Sequence, residues 1–194
     1  GPYESMYLNP LDTVHPYEED DCRYLRNKWD PANASPGTIV LPIMLHSINQ
    51  GRVEGGDAVN EVMFARMMED LHEQQFRAIN MGQLANFLES NAWIPERSVI
   101  LIQDGRRYPE NFEEHFRHYW ETWGWPVVNA WDHQGSTTDM LWDQYATLAE
   151  QGMVDYQVYG PTFDAAGKPR TPEYLRLHLQ MPIDVLRERL GSVP

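Results

Sequence analysis

Three features are scarce in this sequence: cysteine, clustered basic residues and long apolar runs. The single cysteine, Cys22, excludes an intramolecular disulfide and any zinc cluster built from cysteines. With 15 Lys and Arg against 29 Asp and Glu, the net charge of -14 argues against nucleic acid, whose phosphates require clustered positive charge. No apolar run approaches the roughly 20 residues that span a bilayer, so we expect no transmembrane segment.

The chain divides into two regions of different character. Residues 1–37 are rich in Tyr, Pro, Asn and acidic residues without sustained periodicity, which predicts an irregular amino-terminal arm. From residue 38 the pattern becomes regular, which predicts one domain over residues 38–194. The 42% hydrophobic and 12% aromatic content is ample for its core.

Short apolar runs alternate with amphipathic stretches throughout this domain. The predicted strands lie in residues 38–48, 77–80, 98–102, 126–131 and 153–159. The predicted helices lie in residues 60–75, around 84–88, and in 109–123, 138–152 and 171–191, the last with Thr171 as cap and a kink at Pro182. The run TIVLPIMLHSI (38–48) is typical of a strand buried on both faces. Repeated strand–helix units predict an α/β fold with a parallel sheet, open or barrel-like.

Ligands of such folds gather at the carboxyl ends of the strands. The candidate ligand-binding residues at these ends are His46, Asp104, Trp131, Asp132, His133 and Tyr159. Most of the tryptophans are expected in the core, but aromatic rings stack on the apolar faces of sugars, and Trp131 is the best candidate for a sugar platform. A lone His at a strand end, such as His46, is more often held by a structural hydrogen bond.

The ordered succession of segments resembles the polysaccharide deacetylase family, carbohydrate esterase family 4, also called the NodB-homology domain. The segments that carry the resemblance, within residues 38–191, are IVLPIMLHSI, FARMMEDLHEQQFRAINMGQLANFLESNAWIPERSVILIQDG, WGWPVVNAW and LWDQYATLAEQGMVDYQVYGPTFD. The resemblance implies a distorted (β/α) barrel and metal-dependent removal of acetyl groups from N-acetylglucosamine polymers. It also implies an extracellular or cell-envelope location, although no signal peptide is recognisable.

The first family motif, Thr-Phe-Asp-Asp-Gly, matches Leu101-Ile102-Gln103-Asp104-Gly105 in this sequence. In the family the first Asp is the general base and the second binds the metal. Gln103 stands at the base position, and an amide cannot accept a proton from water near neutral pH. Asp104 keeps the chemical type of the metal ligand.

The second family motif, His-x-x-x-His, supplies two imidazole ligands, and Tyr159 and Phe163 occupy its positions here. Phenylalanine cannot ligate a metal, and neutral tyrosine is a poor zinc ligand. We therefore expect no cofactor and no catalytic residue, with Asp104 as a remnant of the metal site. An active enzyme would need zinc or another divalent metal held by unusual ligands such as His46, Asp155 or Asp164.

About five strand–helix units are readable, fewer than the family's barrel needs, which leaves an open sheet edge. Two interpretations stay open: a shortened domain whose edge is covered by the arm or by another protein chain, or a fragment of a larger protein. Three functions stay open. The first is a non-catalytic module that either binds a polysaccharide with N-acetylated sugars or has a structural role. The second is an active carbohydrate N-deacetylase, and the third is a subunit of an extracellular assembly.

A second histidine-containing group lies in the helix predicted from Pro109. His115 and His118 are three residues apart, with Glu114 beside them, a spacing compatible with metal binding. Because this helix is expected on the outside of the fold, the favoured interpretation is that these side chains face water.

Overall fold

The computed structural model describes residues 32–51, 58–105, 108–131, 138–160 and 167–191. Residues 1–31 of the predicted arm lie outside these ranges, as do Asp132, His133, Phe163 and Asp164. Residues 32–34 lie along residues 91–93, because Ala34 and Trp93 donate backbone hydrogen bonds to Asn91 and Ala32.

The described chain alternates strands and helices in the predicted order. The strands are β1 (Ile39–Leu45), β2 (Ser47–Asn49), β3 (Ala58–Asn60), β4 (Arg77–Ala78), β5 (Arg97–Asp104), β6 (Val127–Trp131) and β7 (Val154–Val158). The helices are α1 (Glu61–Glu73), α2 (Met81–Ser90), α3 (Pro109–His115), α4 (Arg117–Trp123), α5 (Asp139–Glu150), α6 (Pro172–Leu175) and α7 (Met181–Leu190). No helix in these ranges is long and apolar enough to cross a membrane.

Five strands form one parallel sheet in the order β1-β5-β6-β7, with β4 also paired to β5. β1 follows one side of β5 along its whole length, whereas β4 pairs with its first half and β6 with its second half. The remaining strands, β2 and β3, form a separate parallel pair. The predicted α/β fold with a parallel sheet is confirmed, and β1 and β7 are the open edges among the described strands.

The two faces of the sheet are covered unequally. One face packs against α1, α3, α4, α5 and α7 through a large apolar cluster that includes Phe64, Phe112, Tyr145, Val127 and Leu186. The other face packs against α2 through a smaller cluster of Ile79, Ile94, Ile100 and Val128. Because side chains alternate along a strand, each strand contributes to both faces. Towards the carboxyl ends of the strands, this second face carries the exposed side chains of Met44 and Tyr159.

The prediction that the first strand is buried on both faces is wrong. β1 has β5 as its neighbour on one side, and its residues Ile39, Leu41 and Met44 are exposed. A run of seven apolar and β-branched residues indicates a strand but does not show whether one or two strands flank it.

Two helices differ in detail from the prediction. The helix predicted over residues 109–123 is broken at Phe116 into α3 and α4, and it ends, as predicted, at Gly124 in the left-handed conformation. The last helix begins with the Thr171 cap, whose hydroxyl accepts a hydrogen bond from the backbone N–H of Tyr174. A π-helical segment, Arg176–Gln180, lies immediately before Pro182, where the sequence predicts a kink because proline has no N–H donor.

Candidate functional site

His46 and Asp104 meet at the carboxyl edge of the sheet. β1 and β5 are paired in register up to Leu45 and Gln103, so the next residue of each strand lies side by side. Nδ1 of His46 is 2.6 Å from Oδ2 of Asp104. The imidazole is about half exposed and the carboxylate is mostly buried, so the pair reaches solvent through His46. The structural hydrogen bond considered for His46 is present.

Gln103 holds the ends of the same two strands together from the helix-covered face. Its side chain is buried, and its amide nitrogen donates to the carbonyl oxygens of Leu45 at 3.0 Å and His46 at 3.1 Å. A carboxylate at this position would face these two carbonyl oxygens, and neither of them can donate a hydrogen bond to it. The local structure is therefore built for an amide.

Asn129 supports the turn that follows Asp104. This fully buried side chain donates from Nδ2 to the carbonyl oxygens of Gln103 at 2.9 Å and Gly105 at 3.0 Å. Gly105 has φ 74°, a left-handed conformation that favours glycine. Asn129 thus keeps the backbone on both sides of Asp104 in place.

Trp131 and Tyr159 end neighbouring strands but differ in accessibility. Trp131 is 2% exposed and its ring lies 5.5 Å from that of Trp142, so the indole belongs to the core and offers no free face to a sugar. The proposed platform at Trp131 is corrected on this ground. Tyr159 is 46% exposed, and its backbone N–H donates to the carbonyl oxygen of Trp131.

Strand register brings six residues to one accessible area of the sheet. Asp104 is paired with Ala130, and Ala130 is paired with Gln157. Tyr159 is two residues beyond Gln157 and so lies on the same face. We call this area the open patch, and it consists of Met44, His46, Asp104, Ala130, Gln157 and Tyr159. At about 4.8 Å per strand, Asp104 and Gln157 lie roughly 10 Å apart across the sheet, and Tyr159, two residues farther along β7, lies roughly 12 Å from Asp104.

The described residues around Asp104 do not fit a metal ion. They offer one carboxylate and one imidazole, which are bonded to each other, whereas a zinc site needs at least three protein ligands. Asp155, considered as a substitute ligand, accepts the backbone N–H of Met81 at 2.8 Å and the side-chain amide of Gln157 at 2.7 Å. Its carboxylate therefore serves the start of α2 and does not act as a substitute ligand beside Asp104.

The other histidine group is also placed differently from the prediction. His118 is exposed, but the His115 side chain is only 10% exposed and faces Glu61 of α1. Glu61, Glu114 and His115 are brought together as a group that can hold a metal ion. The sequence offers no signal for the role of Glu61, because it lies on a different helix.

A buried tyrosine lies on the opposite face of β7 from the open patch. Burial raises the pKa of the Tyr156 phenol far above its ordinary value, with a smaller contribution from Tyr145. Its hydroxyl oxygen has no hydrogen-bond partner among the residues that the structure describes. This residue packs the core, among Phe112 and Tyr145, and takes no part in the site.

Sequence reasoning missed the supporting residues of the site. Asn129 carried a usable signal, since a polar residue on the apolar face of a predicted strand must find hydrogen-bond partners. Gln157 and Ala130 carried none, because only strand register places them beside Asp104.

The fold is that of known deacetylase structures. No family model matches the sequence, and no curated protein matches it significantly. The Streptococcus pyogenes deacetylase PplD, in complex with acetate, aligns with a TM-score of 0.61 and 15% identity over 79% of this chain and 70% of its own. A de-N-acetylase from Aggregatibacter actinomycetemcomitans gives 0.58 and 12% identity over 80% and 76% of the two chains. IcaB from Ammonifex degensii gives 0.57 and 17% identity over 82% and 72%. At these identities the chain shares with polysaccharide deacetylases an α/β fold with a parallel sheet that resembles their distorted barrel.

Proposed function

We propose that this chain is a non-catalytic polysaccharide-deacetylase-like module that binds a carbohydrate at the open patch, in an extracellular or cell-envelope setting. The observation that carries the proposal is the position of Gln103. At the place of the general base, a buried amide donates to the carbonyl oxygens of Leu45 and His46.

The state of Asp104 supports the same conclusion. The carboxylate that matches the family's metal ligand is bonded to His46, and the described residues beside it do not complete a metal site. Without a base and without a completed metal site beside Asp104, the described residues of the open patch provide no means of activating water for attack on an amide.

The open patch has the chemistry that sugar recognition requires. The carboxylate of Asp104 and the amide of Gln157 are hydrogen-bonding partners for hydroxyl groups, and the exposed ring of Tyr159 can stack on a sugar face. The exposed side chain of Met44 lies on the same face and can contact the methyl group of an N-acetyl substituent. Structural neighbours named as deacetylase and de-N-acetylase support a polysaccharide with N-acetylated sugars as the ligand.

The experiment is a calorimetric titration of the full chain with N-acetylglucosamine oligomers, with acetate measured in parallel samples. We expect saturable binding without acetate release, weakened at least tenfold in Tyr159→Ala and in Asp104→Asn. Trp93→Ala is the matched control, because Trp93 is an exposed aromatic residue before β5, at the opposite end of the sheet.

Each other outcome counts against a defined part of the proposal. Absence of saturable binding, or equal weakening in Trp93→Ala, would reject the open patch as a carbohydrate site. Acetate release that requires added zinc and disappears in Asp104→Asn would show an active N-deacetylase with unusual ligands and would reject the non-catalytic assignment.

A second candidate function is a subunit of an extracellular assembly, favoured by the edge strand β1. Exposed Ile39, Leu41 and Met44 lie on a strand that has a neighbour on one side only among the described strands, a combination that favours pairing with another chain. Light scattering of the wild type and of Leu41→Lys tests this function. Val62→Lys is the control, because Val62 is an exposed residue of α1. A defined oligomer that only Leu41→Lys dissociates, in a protein that binds no glycan, would favour this function.

A further inference from the structure

We propose that Glu61, Glu114 and His115 form a binding site for a divalent transition-metal ion of the Zn²⁺ type. The site lies where the first turn of α1 meets the last turn of α3. Its nearest link to the open patch is Gln103, whose side chain lies on the helix-covered face while Asp104 lies on the other. The site is therefore separate from the one that carries the proposed function and does not rest on it.

His115 is the anchor of the proposed site. Its side chain is 10% exposed, with Nδ1 at 3.9 Å from Oε1 of Glu61 and Nε2 at 4.0 Å from Oε2 of Glu114. Hydrogen bonds from N–H to oxygen are about 2.7–3.2 Å long, so both separations are too long for one. A nearly buried imidazole lies between two carboxylates with no hydrogen bond to either, although buried polar groups are almost always bonded.

The donor atoms suit a borderline cation. Imidazole nitrogen and carboxylate oxygen are ligand types that zinc accepts. One of the two ring nitrogens of His115 and one oxygen from each carboxylate lie within 4.8 Å of one another, so a single ion would bind through that one nitrogen. Metal–ligand bonds of about 2.0–2.2 Å require the ligand atoms to approach to about 3–3.5 Å. The Glu61 and Glu114 side chains are partly and largely exposed, so both can rotate inward without disturbing the core.

The space beside His115 suits the rest of a coordination shell. A cavity of about 80 Å³ is lined by Ser47, Ile48, Asn49, Gln103, Asn111 and His115. Five of the six lining residues are polar and the space is large enough for ordered water, and His115 is the one proposed ligand that borders it. A zinc ion with three protein ligands keeps a fourth position for water, and the amides nearby can orient that water.

The alternative explanation is electrostatic. Glu61 lies in the first turn of α1 and His115 in the last turn of α3, where negative and positive charges respectively interact favourably with helix dipoles. An ion pair of this kind accounts for the proximity of Glu61 and His115 but requires neither the cavity nor Glu114. It predicts no uptake of metal.

The experiment is calorimetric titration of the metal-stripped full chain with ZnCl₂, together with the visible absorption of bound Co²⁺ as a report on nitrogen and oxygen ligands. We expect one ion per chain, bound at least tenfold more weakly by His115→Ala and by Glu61→Gln. His118→Ala is the matched control, since it removes an exposed histidine three residues away. Asp104→Asn separates this site from the open patch and should leave the affinity unchanged.

The result that would overturn the proposal is equally specific. If the wild-type protein binds no zinc, the proposal is rejected in favour of a plain ion pair. If zinc binding is lost in Asp104→Asn but kept in His115→Ala, the metal binds elsewhere. Thermal unfolding with and without zinc checks that the variants fold. Glu61→Gln keeps side-chain shape at a partly exposed position, so it answers the question even if His115→Ala fails to fold.

Discussion

Nδ1 of His46 lies 2.6 Å from Oδ2 of Asp104, and this contact joins the ends of two parallel strands at the edge where ligands bind. The pairing gives Asp104 a partner from the protein itself. It also orients the imidazole, which is the more accessible of the two groups. The geometry around the pair, supported by Gln103 and Asn129, leads to the following predictions.

Gln103→Glu should destabilise the protein. The introduced carboxyl group would face the carbonyl oxygens of Leu45 and His46, which now accept from the amide. A buried acceptor without donors costs about 2–4 kcal/mol when it is charged. Burial raises the pKa of the new group, so its stability penalty should be smallest below the ordinary pKa of glutamate and grow as the pH rises. Urea unfolding at pH 5 and pH 8 measures the stability penalty. Gln144→Glu is the control, because Gln144 is an exposed residue of α5. Equal stability of the two variants would contradict the clamp role of Gln103.

Asn129→Ala should loosen the turn after Asp104. The substitution leaves the carbonyl oxygens of Gln103 and Gly105 without their side-chain donor. Loss of these bonds should lower the free energy of unfolding by about 1–3 kcal/mol. For a chain of this length that corresponds to a melting temperature lower by about 2–4 °C per kcal/mol. Calorimetry checks the value, and an unchanged melting temperature would show that the bonds are dispensable.

Tyr156→Phe should not destabilise the protein at neutral pH. The hydroxyl is buried without a hydrogen-bond partner in the described part of the chain, so its removal relieves an unsatisfied polar group. Burial raises the pKa of this phenol in the folded state, so its contribution to stability is present below the ordinary tyrosine pKa of about 10 and declines as the pH rises above it. Between about pH 9 and about pH 11, the free energy of unfolding should therefore fall less for the variant than for the wild type. Unfolding curves recorded at these two pH values measure the difference. A steeper alkaline loss in the variant would refute this.

Gly160→Ala should displace the segment that carries Tyr159. A Cβ atom at Gly160 would come within 2.4 Å of a Leu179 methyl group and 2.7 Å of the His178 carbonyl oxygen, so the backbone must shift. We expect both lower thermal stability and weaker binding of glycan at the open patch. Gly82→Ala in α2 is the matched control, because its Cβ meets no atom closer than 3.5 Å. That control should be neutral or more stable by up to about 1 kcal/mol, since alanine favours helices.

The order of the elements and the ends of the helices were the parts most readily predicted. Strand–helix alternation, the cap at Thr171 and the end of the helix at residue 123 follow from local patterns, and each is present. Local rules suffice there because caps and turns depend on residues within a few positions of one another. The supposed sugar platform at Trp131 failed for the opposite reason. Whether the last ring of a strand faces solvent depends on the helix packed above it, here through Trp142.

The sequence by itself determined an α/β chain with a parallel sheet, placed Asp104 at the end of a strand, and put an amide at Gln103. These features depend on composition, on the period of apolar residues and on single residue types. Only the tertiary structure decided that β1 is an exposed edge, that His46 contacts Asp104, and that Glu61 meets His115. Each of these depends on the register of strands or the packing of helices far apart in the chain. Many distant contacts set such geometry together, and no short stretch of sequence contains it.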